Sequence, residues 1–398
     1  MKKKILFMLI NMNVGGTEKA LLNMIYEIPK RDYDITLLLL EEYGGFLQSI
    51  PNHVNIKYLY GYKRIKNLLN QPPQLIAQKY LKDGKLLKGF NLLLLHLISK
   101  ITNKRNLFFK YALKGHIVDT TQYDMAIAYA GPMDFISYFV INKIKAKKKV
   151  QWIHFDITKI GFNKSFAADI YKKFDKIFVV SNQGKEKLTT LLPDIKGKAD
   201  TFFNVLSLKS MEVMANEGVG FNADFTGIRI LTVGRLTKEK GQDLTIPVLA
   251  KLKRDGYNVR WYCIGEGNAR MEYQELIEKH HIHEDFILLG AKTNPYPFLK
   301  QCDLYVQPSR HEGYCITLAE AKYFQKPIIT TNFTGAGEQI IDHHTGLIVN
   351  FDEEELYQAV KKLLDDQNLK DQLQTNLQNS NYINQTEINK LLNLASGD

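Results

Sequence analysis

The chain has 398 residues, of which 45% are hydrophobic and 24% are charged, and its formal net charge is +11. This length allows two or three globular domains with sizeable cores, and the absence of any run of ~20 apolar residues excludes a membrane-spanning helix. The three cysteines, Cys263, Cys302 and Cys315, are odd in number and lack metal-ligand spacing, which indicates reduced thiols in a cytosolic protein.

The first predicted element is a strand over residues 4–10 that leads into Gly15 and Gly16. Its basic flank and apolar run could be mistaken for a signal peptide, but a small-residue cleavage site does not follow. A glycine turn that opens a helix is a natural anion site, because free N–H groups and the helix dipole face the ligand. The pair does not form a dinucleotide fingerprint, and the alternative is a tight strand-to-helix turn without a ligand.

Residues 61–120 carry most of the positive charge. Twelve basic residues against Asp83 and Asp119 give this window +10 of the formal +11. Apolar and basic residues alternate there at helical spacing, which favours amphipathic helices on an anionic membrane surface. The alternative is a solvated basic face over an ordinary helix, and nucleic acid is not expected because no nucleic-acid motif accompanies the charge. The basic residues are Lys63, Arg64, Lys66, Lys79, Lys82, Lys85, Lys88, Lys100, Lys104, Arg105, Lys110 and Lys114.

Apolar runs alternate with helical patterns along both halves of the chain, which predicts α/β architecture with parallel sheets. Each half is a plausible doubly wound domain, and residues 204–226 between them are interpreted as a linker with a helical piece. The first half contains predicted strands at residues 4–10, 33–40, 55–60, 125–129, 149–153 and 176–180. The second contains predicted strands at residues 229–233, 259–264, 286–289, 304–307, 327–330 and 347–349.

Three strand ends carry candidate ligand groups. His154 follows the strand at 149–153, and the nearby Asp156 favours a polar contact with substrate, although a lone histidine is more often structural. Arg235 and Lys240 follow the strand at 229–233, where a guanidinium and an ammonium group could hold a diphosphate. Gly265 lies in another strand-end glycine loop, for which a simple turn is the alternative.

Glu312 and Glu320 are eight residues apart, between a predicted strand end and a helix predicted over residues 319–324. In open α/β sheets, ligands bind in the crevice at the carboxyl ends of the strands. Two carboxylates and several free N–H groups could therefore meet one polar ligand. Thr317 to Glu320 also fits a capping box, which would give Glu320 a structural role in the first turn of that helix.

Together these residues resemble the retaining glycosyltransferases of the GT-B fold, specifically the family 4 type (glycosyl transferases group 1) with its E-x7-E motif. The resemblance implies two Rossmann-like domains facing a deep cleft. It implies an acceptor-binding domain at residues 1–205, a nucleotide-sugar-binding domain at 206–374, and a terminal helix at 375–398 that packs back on the first domain. The matching positions are Gly15–Glu18, His154, Ser181, Gly234–Arg235, Lys240–Gly241, Gly265–Gly267, Ser309–Gly313, Glu320–Ala321, Lys326–Pro327 and Thr345–Leu347.

The resemblance also implies roles for individual residues. Arg235 and Lys240 would stabilise the leaving diphosphate without a metal or other cofactor, and His154 would touch the sugar near the reacting carbon. Glu312 would contact donor-sugar hydroxyls, and Glu320 the ribose. The expected donor-binding residues are Gly16, Gly234, Gly265, Lys292, Tyr296, Gly313, Tyr314, Cys315, Ile316, Thr317 and Glu320.

Two segments, three residues in all, depart from the family pattern. Many relatives have Phe-Gly where this chain has Tyr314-Cys315, and glycine where it has Gln325. Cys315 narrows the backbone freedom of the donor loop and makes the sugar identity less certain, but neither departure removes a charged group.

The resemblance implies a bacterial, cytoplasmic, retaining enzyme at the inner face of the cell membrane. It would transfer a sugar from a nucleotide donor, with UDP expected, to a cell-surface polysaccharide or lipid-linked glycan by front-face attack. Two alternatives remain open: a sugar-nucleotide epimerase of the same fold, and a non-catalytic partner subunit of a glycosyltransferase. The sugar, the acceptor, the linkage and the oligomeric state do not follow from the sequence.

Overall fold

The computed structural model describes residues 2–70, 73–102, 105–114, 120–222, 224–380 and 384–396. The chain forms two parallel sheets, each covered by helices. The first has seven strands in the order β3-β2-β1-β4-β5-β6-β7, and the second has six in the order β10-β9-β8-β11-β12-β13. This arrangement confirms the predicted α/β class with two doubly wound sheets.

The first sheet consists of β1 (Lys3–Leu9), β2 (Tyr33–Leu39), β3 (Asn55–Tyr58), β4 (Gln122–Ala128), β5 (Lys145–Ile153), β6 (Lys176–Val179) and β7 (Ala199–Thr201). The helices of this half are α1 (Gly16–Glu27), α2 (Tyr62–Asn70), α3 (Pro73–Lys82), α4 (Leu86–Thr102), α5 (Asn106–Ala112), α6 (Asp134–Lys143), α7 (Lys164–Tyr171) and α8 (Asn182–Leu191). The central strands are buried on both faces, which explains their nearly continuous apolar runs.

The second sheet consists of β8 (Ile228–Val233), β9 (Val259–Ile264), β10 (Phe286–Leu288), β11 (Leu304–Gln307), β12 (Ile328–Thr331) and β13 (Leu347–Val349). The other helices are α9 (Leu208–Glu217), α10 (Gln242–Arg254), α11 (Arg270–Lys279), α12 (Tyr296–Gln301), α13 (Ile316–Tyr323), α14 (Ala336–Gln339), α15 (Glu353–Asp365), α16 (Gln367–Gln378) and α17 (Asn384–Ser396). Short 3₁₀ turns occupy Leu47–Ser49, Pro193–Ile195 and Lys238–Lys240.

All twelve predicted strands are present, with ends that differ by at most a few residues. The sequence prediction missed β7, which has only three residues at the edge of the first sheet and too short an apolar run to be recognised. The helical piece expected between the halves is α9, and the helix expected over 319–324 begins earlier, at Ile316.

The terminal helix α17 returns to the first sheet. Ile388, Leu391 and Ala395 are buried in the same hydrophobic cluster as Phe7 and Ile127 of β1 and β4. Residues 381–383 and 397–398 of the predicted terminal helix lie outside the described residues. The end of the chain thus packs on the first half through α17, whereas α16, which includes residues 375–378, packs against α13 and α15 of the second half.

The basic window forms α2 to α5. Lys79, Lys82, Lys85 and Lys88 are exposed, whereas Lys104 and Asp119 lie outside the described residues, as does the side chain of Lys100. Within the described ranges, every helix is too short or too polar to cross a membrane.

Candidate active site between the two sheets

The carboxyl ends of the two sheets face each other, and the loops that follow β5 and β11 are in contact. A Cβ atom added to Gly313 would lie 2.1 Å from the carbonyl oxygen of His154, far inside van der Waals contact. Glycine is therefore required for this close approach. The contact places the predicted residues of the first half, near His154, beside those of the second half, near Glu312.

Lys240 and Glu312 form an ion pair in the floor of this cleft. Glu312 also accepts a hydrogen bond of 2.9 Å from the Ser309 hydroxyl, which in turn accepts one of 2.8 Å from Gln307. Burial opposes the charge on Lys240, but the Glu312 carboxylate outweighs it, so the pKa of Lys240 is raised. The ammonium group is therefore firmly charged and held by two loops that are 72 residues apart in sequence.

Arg235 lies in the loop after β8, near Lys240, and its side chain is exposed. No ion-pair partner for its guanidinium group occurs in the described part of the chain. Two carbonyl oxygens of this loop, on Gly234 and Arg235, accept hydrogen bonds of 3.3 and 2.9 Å from the buried Gln242 amide. The backbone is thus fixed while the cationic head is available to an anion.

Gly265 supports the same loop from the end of β9. Its backbone has a φ of +153°, and a Cβ there would lie 2.0 Å from the carbonyl oxygen of Gly234. A side chain at Gly265 would displace the loop that carries Arg235. The shape of the loop that carries Arg235 therefore depends on glycine at position 265.

Glu320 is 1% exposed and accepts a 2.8 Å hydrogen bond from the hydroxyl of Tyr296. Burial raises its pKa, while Lys19 and the Tyr296 hydroxyl act in the opposite direction. The predicted capping box is wrong: α13 begins at Ile316 after Cys315, so Glu320 lies beyond the first turn, and Thr317 instead bonds to Val233 and Gln307.

Tyr296 is fully buried, so its ring cannot offer a face to a nucleotide base. The expectation of a direct donor contact at Tyr296 is corrected to a supporting contact with Glu320. Lys292, in the same segment, is exposed in the loop after β10.

His154 is buried beside Tyr129 and Trp152. Its Nε2 lies 2.7 Å from the carbonyl oxygen of Tyr129, so this nitrogen carries the proton and donates it. Burial lowers the pKa of His154 to about 3 despite that hydrogen bond. The ring is neutral at physiological pH and can offer only Nδ1 as an acceptor.

Asp156, which was expected to favour a substrate contact, is engaged elsewhere. Its carboxylate accepts hydrogen bonds from the Lys187 ammonium group at 2.6 Å and from the Thr334 hydroxyl at 2.7 Å. Lys187 belongs to α8 of the first half and Thr334 to the loop after β12 of the second. Asp156 is therefore a bridge between the two halves.

The backbone from Gly313 to Thr317 is only partly free. The Cys315 N–H donates a 3.0 Å hydrogen bond to the Gln339 side chain, so it is not among the free N–H groups of this segment. Within the described ranges, Gly313 and Tyr314 have no intramolecular acceptor for their N–H groups. The N–H groups of Ile316 and Thr317 begin α13 and are orphaned by helix geometry.

The side chains of Cys315 and Ile316 in this segment are buried. Cys315 is 2% exposed, and burial raises the pKa of its thiol to about 12. Ile316 is buried, and its Cγ2 lies 3.6 Å from the position a Cβ on Gly16 would take. Gly16 thus brings the start of α1 directly against the start of α13.

Two charged residues to which the sequence analysis assigned no role, Glu18 and Lys19, follow Gly16. Burial raises the pKa of Glu18 to about 7, its own backbone N–H and Arg235 acting against this. Lys19 lies with its ammonium group 4.5 Å from the centroid of the Tyr296 ring. Their position in the first turn of a helix that opens at a candidate anion site is the signal that could have identified them.

In the described ranges, three or more His, Cys, Asp or Glu side chains do not come together in a way that could hold a metal ion. The cationic groups of the cleft are instead the side chains of Lys19, Arg235 and Lys240.

A family model described as glycosyl transferases group 1 matches residues 221–380, which include all of the second sheet. A curated relative, an N-acetylgalactosamine-N,N'-diacetylbacillosaminyl-diphospho-undecaprenol 4-alpha-N-acetylgalactosaminyltransferase of Campylobacter jejuni, is 30% identical over 210 residues, or 52% of this chain and 56% of the relative. The capsular polysaccharide biosynthesis glycosyltransferase CapM of Staphylococcus aureus is 28% identical over 145 residues, or 35% of this chain and 37% of the relative. The chain spans about half the length of the curated relatives it matches, or less.

Solved structures are similar over almost the whole chain. Anabaena HepE in complex with UDP has a TM-score of 0.68 at 16% identity, with 99% of this chain and 100% of that chain covered. A mutant of S. aureus TarM in complex with fondaparinux, alpha-GlcNAc-glycerol and UDP has a TM-score of 0.71 at 15% identity, with 99% of both chains covered. At this identity the similarity establishes a common fold.

Proposed function

We propose that this chain, whose residues 221–380 match the family model of the group 1 glycosyltransferases, moves a sugar from a nucleotide-sugar donor to a cell-surface polysaccharide or lipid-linked glycan. The donor nucleotide is UDP and the configuration at the transferred carbon is retained. The observation that carries the proposal is the convergence of Arg235, Lys240, Glu312 and Glu320 at one edge of the second sheet, facing His154 of the first.

Arg235 and Lys240 bind the donor diphosphate in this proposal. One N–H of the Lys240 ammonium group donates to Glu312, and its remaining N–H groups are available to phosphate oxygens. Arg235 presents a guanidinium fork without an internal partner in the described ranges, which suits bidentate phosphate binding. The two cations stabilise the charge that develops on the leaving nucleotide, so the mechanism requires no metal.

Glu320 receives the ribose hydroxyls and Glu312 receives hydroxyls of the donor sugar. Glu320 is suited to this task because the Tyr296 hydroxyl donates a hydrogen bond to one carboxylate oxygen, which leaves the other oxygen to accept hydrogen bonds from the ribose. The N–H groups of Gly313 and Tyr314 and of the first turn of α13 meet the sugar or the phosphates.

Retention proceeds by front-face attack, in which the acceptor hydroxyl enters on the side of the leaving group. A covalent route would need a carboxylate nucleophile. Glu312 is held in an ion pair with Lys240 and in a hydrogen bond with Ser309, which favours a positioning role. His154 is neutral, so it accepts a hydrogen bond from a sugar hydroxyl through Nδ1 instead of donating a proton.

The acceptor is presented at an anionic membrane surface by α3 and α4. On α4, the side chains of Leu87, Phe90, Leu94 and Leu97 are between 54% and 82% exposed and recur every three or four residues. The opposite side of α4 buries Leu92 against α3. An apolar stripe flanked by exposed lysines matches the chemistry of anionic lipid headgroups over acyl chains, and the protein is accordingly peripheral at the inner face of the membrane.

A panel of nucleotide sugars tests the proposed activity through release of nucleoside diphosphate in the presence of membrane glycolipid acceptors. Lys240→Ala should lower kcat/KM by about 10²-fold or more, because one cation of the diphosphate site is lost. Lys238→Ala is the matched control, since Lys238 lies in the same 3₁₀ turn, points to solvent and pairs with Glu272.

Folded wild-type protein that neither binds nor turns over any donor would contradict the proposal. Conversion of the donor sugar without an acceptor would instead support an epimerase, and partner binding that survives Lys240→Ala without any transfer by the wild type would support a non-catalytic subunit.

A further inference from the structure

The positive charge that favours the ionised form of the Glu320 carboxylate comes from the opposite domain. Glu320 is buried in α13, and the cation that acts on it is Lys19 of α1. The hydroxyl of Tyr296 donates to the same carboxylate. The electrostatic environment of this glutamate is therefore complete only when α1 lies against α13.

Lys19 occupies a defined position between two aromatic rings. Its ammonium group lies 4.5 Å from the centroid of Tyr296 and 5.6 Å from the centroid of Phe46. Both distances are within the range of a cation–π interaction. Phe46 comes from the first half and Tyr296 from the second, so Lys19 joins rings of both halves while it faces Glu320.

The backbone keeps this lysine in place. Gly16 approaches Ile316, and Ala20 is buried in the hydrophobic cluster of the second half together with Ile316 and Tyr296. Lys19 lies between these two contacts on the same helix. The packing of Gly16 and Ala20 on either side therefore fixes the backbone position of Lys19.

We propose that Lys19 is a positioning residue that holds Glu320 and Tyr296 ready for the ribose hydroxyls of the donor, so that the first domain completes the nucleotide pocket of the second. This inference rests on the proposed nucleotide-sugar donor. Lys19 acts through the carboxylate: it favours the charged form of Glu320 against the effect of burial, orients the free oxygen, and stabilises the arrangement in which α1 covers α13.

Calorimetric titration of the full-length protein with UDP and with 2′,3′-dideoxy-UDP separates this role from a general electrostatic one. Lys19→Met should weaken UDP binding about tenfold, while the dideoxy nucleotide, which lacks the hydroxyls that Glu320 receives, should bind equally to wild type and variant. Lys19→Arg keeps a cation over the rings and should restore most of the affinity. Lys30→Met, an exposed lysine just after α1, is the control and should leave both affinities unchanged.

Equal weakening of UDP and the dideoxy nucleotide by Lys19→Met would overturn the inference, because it would place the lysine on the diphosphate. Unchanged UDP binding in a folded Lys19→Met protein would overturn it as well. A wild-type protein that binds none of UDP, GDP, ADP and CDP would overturn the proposed donor first, and the inference with it, so the two failures are distinguishable.

Discussion

At the scale of single residues, some features of the cleft could be predicted from the sequence, and others depend on contacts that only the fold creates. Gly313 was expected from the resemblance to contact the donor, and the structure shows that it also approaches the His154 carbonyl closely, as only glycine can. The partners of Glu320 could not be predicted, since Tyr296 and Lys19 come from other helices and only the tertiary fold brings them together. Local patterns favoured a capping box, which the earlier start of α13 removes.

Gln325, where the resemblance leads us to expect glycine, has a strained backbone. It follows α13 with a φ of +54°, a left-handed conformation that glycine adopts without strain. Its side chain and carbonyl oxygen are bonded to Gln378 and Gln374 of α16, which offsets part of that strain.

Gly313→Ala should abolish sugar transfer while leaving each domain folded. The added methyl group would lie 2.1 Å from the His154 carbonyl, so the two loops must separate. We expect kcat/KM to fall by at least about 10²-fold, as for other displacements of ~1 Å at a reacting centre. Gly337→Ala is the matched control, because a Cβ there meets no atom within 4 Å. Full activity of Gly313→Ala would show that this approach is dispensable.

Glu18 should make stability depend on pH. Its pKa is raised from 4.5 to about 7 by burial, so the unfolded chain releases this proton at lower pH than the folded protein. The resulting decrease in the free energy of unfolding is absent below pH 4.5, grows between pH 4.5 and 7, and is constant above pH 7. Glu18→Gln should therefore raise stability at pH 8 by about 1–3 kcal/mol and leave it unchanged at pH 4. Thermal unfolding of both proteins across this range measures the difference, and parallel curves would refute the assignment.

At the scale of elements, strands and loops differ in how well the sequence predicts them. The buried parallel strands have continuous apolar runs, so all but the three-residue β7 could be recognised. Hydrogen bonds between loops of different domains, such as those of Asp156, have no periodic signature and required the structure. In the sequence, α4 is a mixture of leucines and lysines in which exposed and buried leucines look alike. The structure shows which side of the helix is exposed and which is buried.

The membrane-binding surface that we propose on α3 and α4 predicts a charge-dependent interaction. Changing Lys79, Lys82, Lys85 and Lys88 to glutamine should weaken sedimentation with vesicles containing phosphatidylserine by at least tenfold, at about 1 kcal/mol for each basic residue. The matched control replaces four exposed lysines elsewhere on the first half, Lys145, Lys164, Lys172 and Lys173. Equal vesicle binding by both quadruple variants would exclude this surface as the membrane contact.

At the scale of the whole molecule, the two domains are held together at the cleft by a carboxylate at a helix start. Both oxygens of Glu338, in α14, accept hydrogen bonds from the N–H groups of Asn182 and Gln183 at 2.7 and 2.9 Å. These N–H groups begin α8 of the opposite half, where a negative charge is favourable. The Gly335 N–H returns a 3.2 Å bond to the Gln183 side chain.

Glu338→Gln should shift the protein towards an open arrangement, because an amide has one acceptor oxygen and no charge for the two N–H groups. We expect a loss of about 1–2 kcal/mol of closed-state stability. Small-angle scattering without donor should show a larger radius of gyration, and UDP affinity should fall. Glu353→Gln, at the exposed start of α15, is the control. An unchanged radius of gyration and an unchanged UDP affinity would show that closure does not depend on this contact.

The return of α17 to the first sheet has a consequence for how the molecule can move. The polypeptide crosses between the domains twice, once after β7 and once between α16 and α17. Two connections restrict twisting and sliding of the halves more than one connection would. We therefore expect the halves, if they separate, to return Lys19 and Gly313 to the same partners.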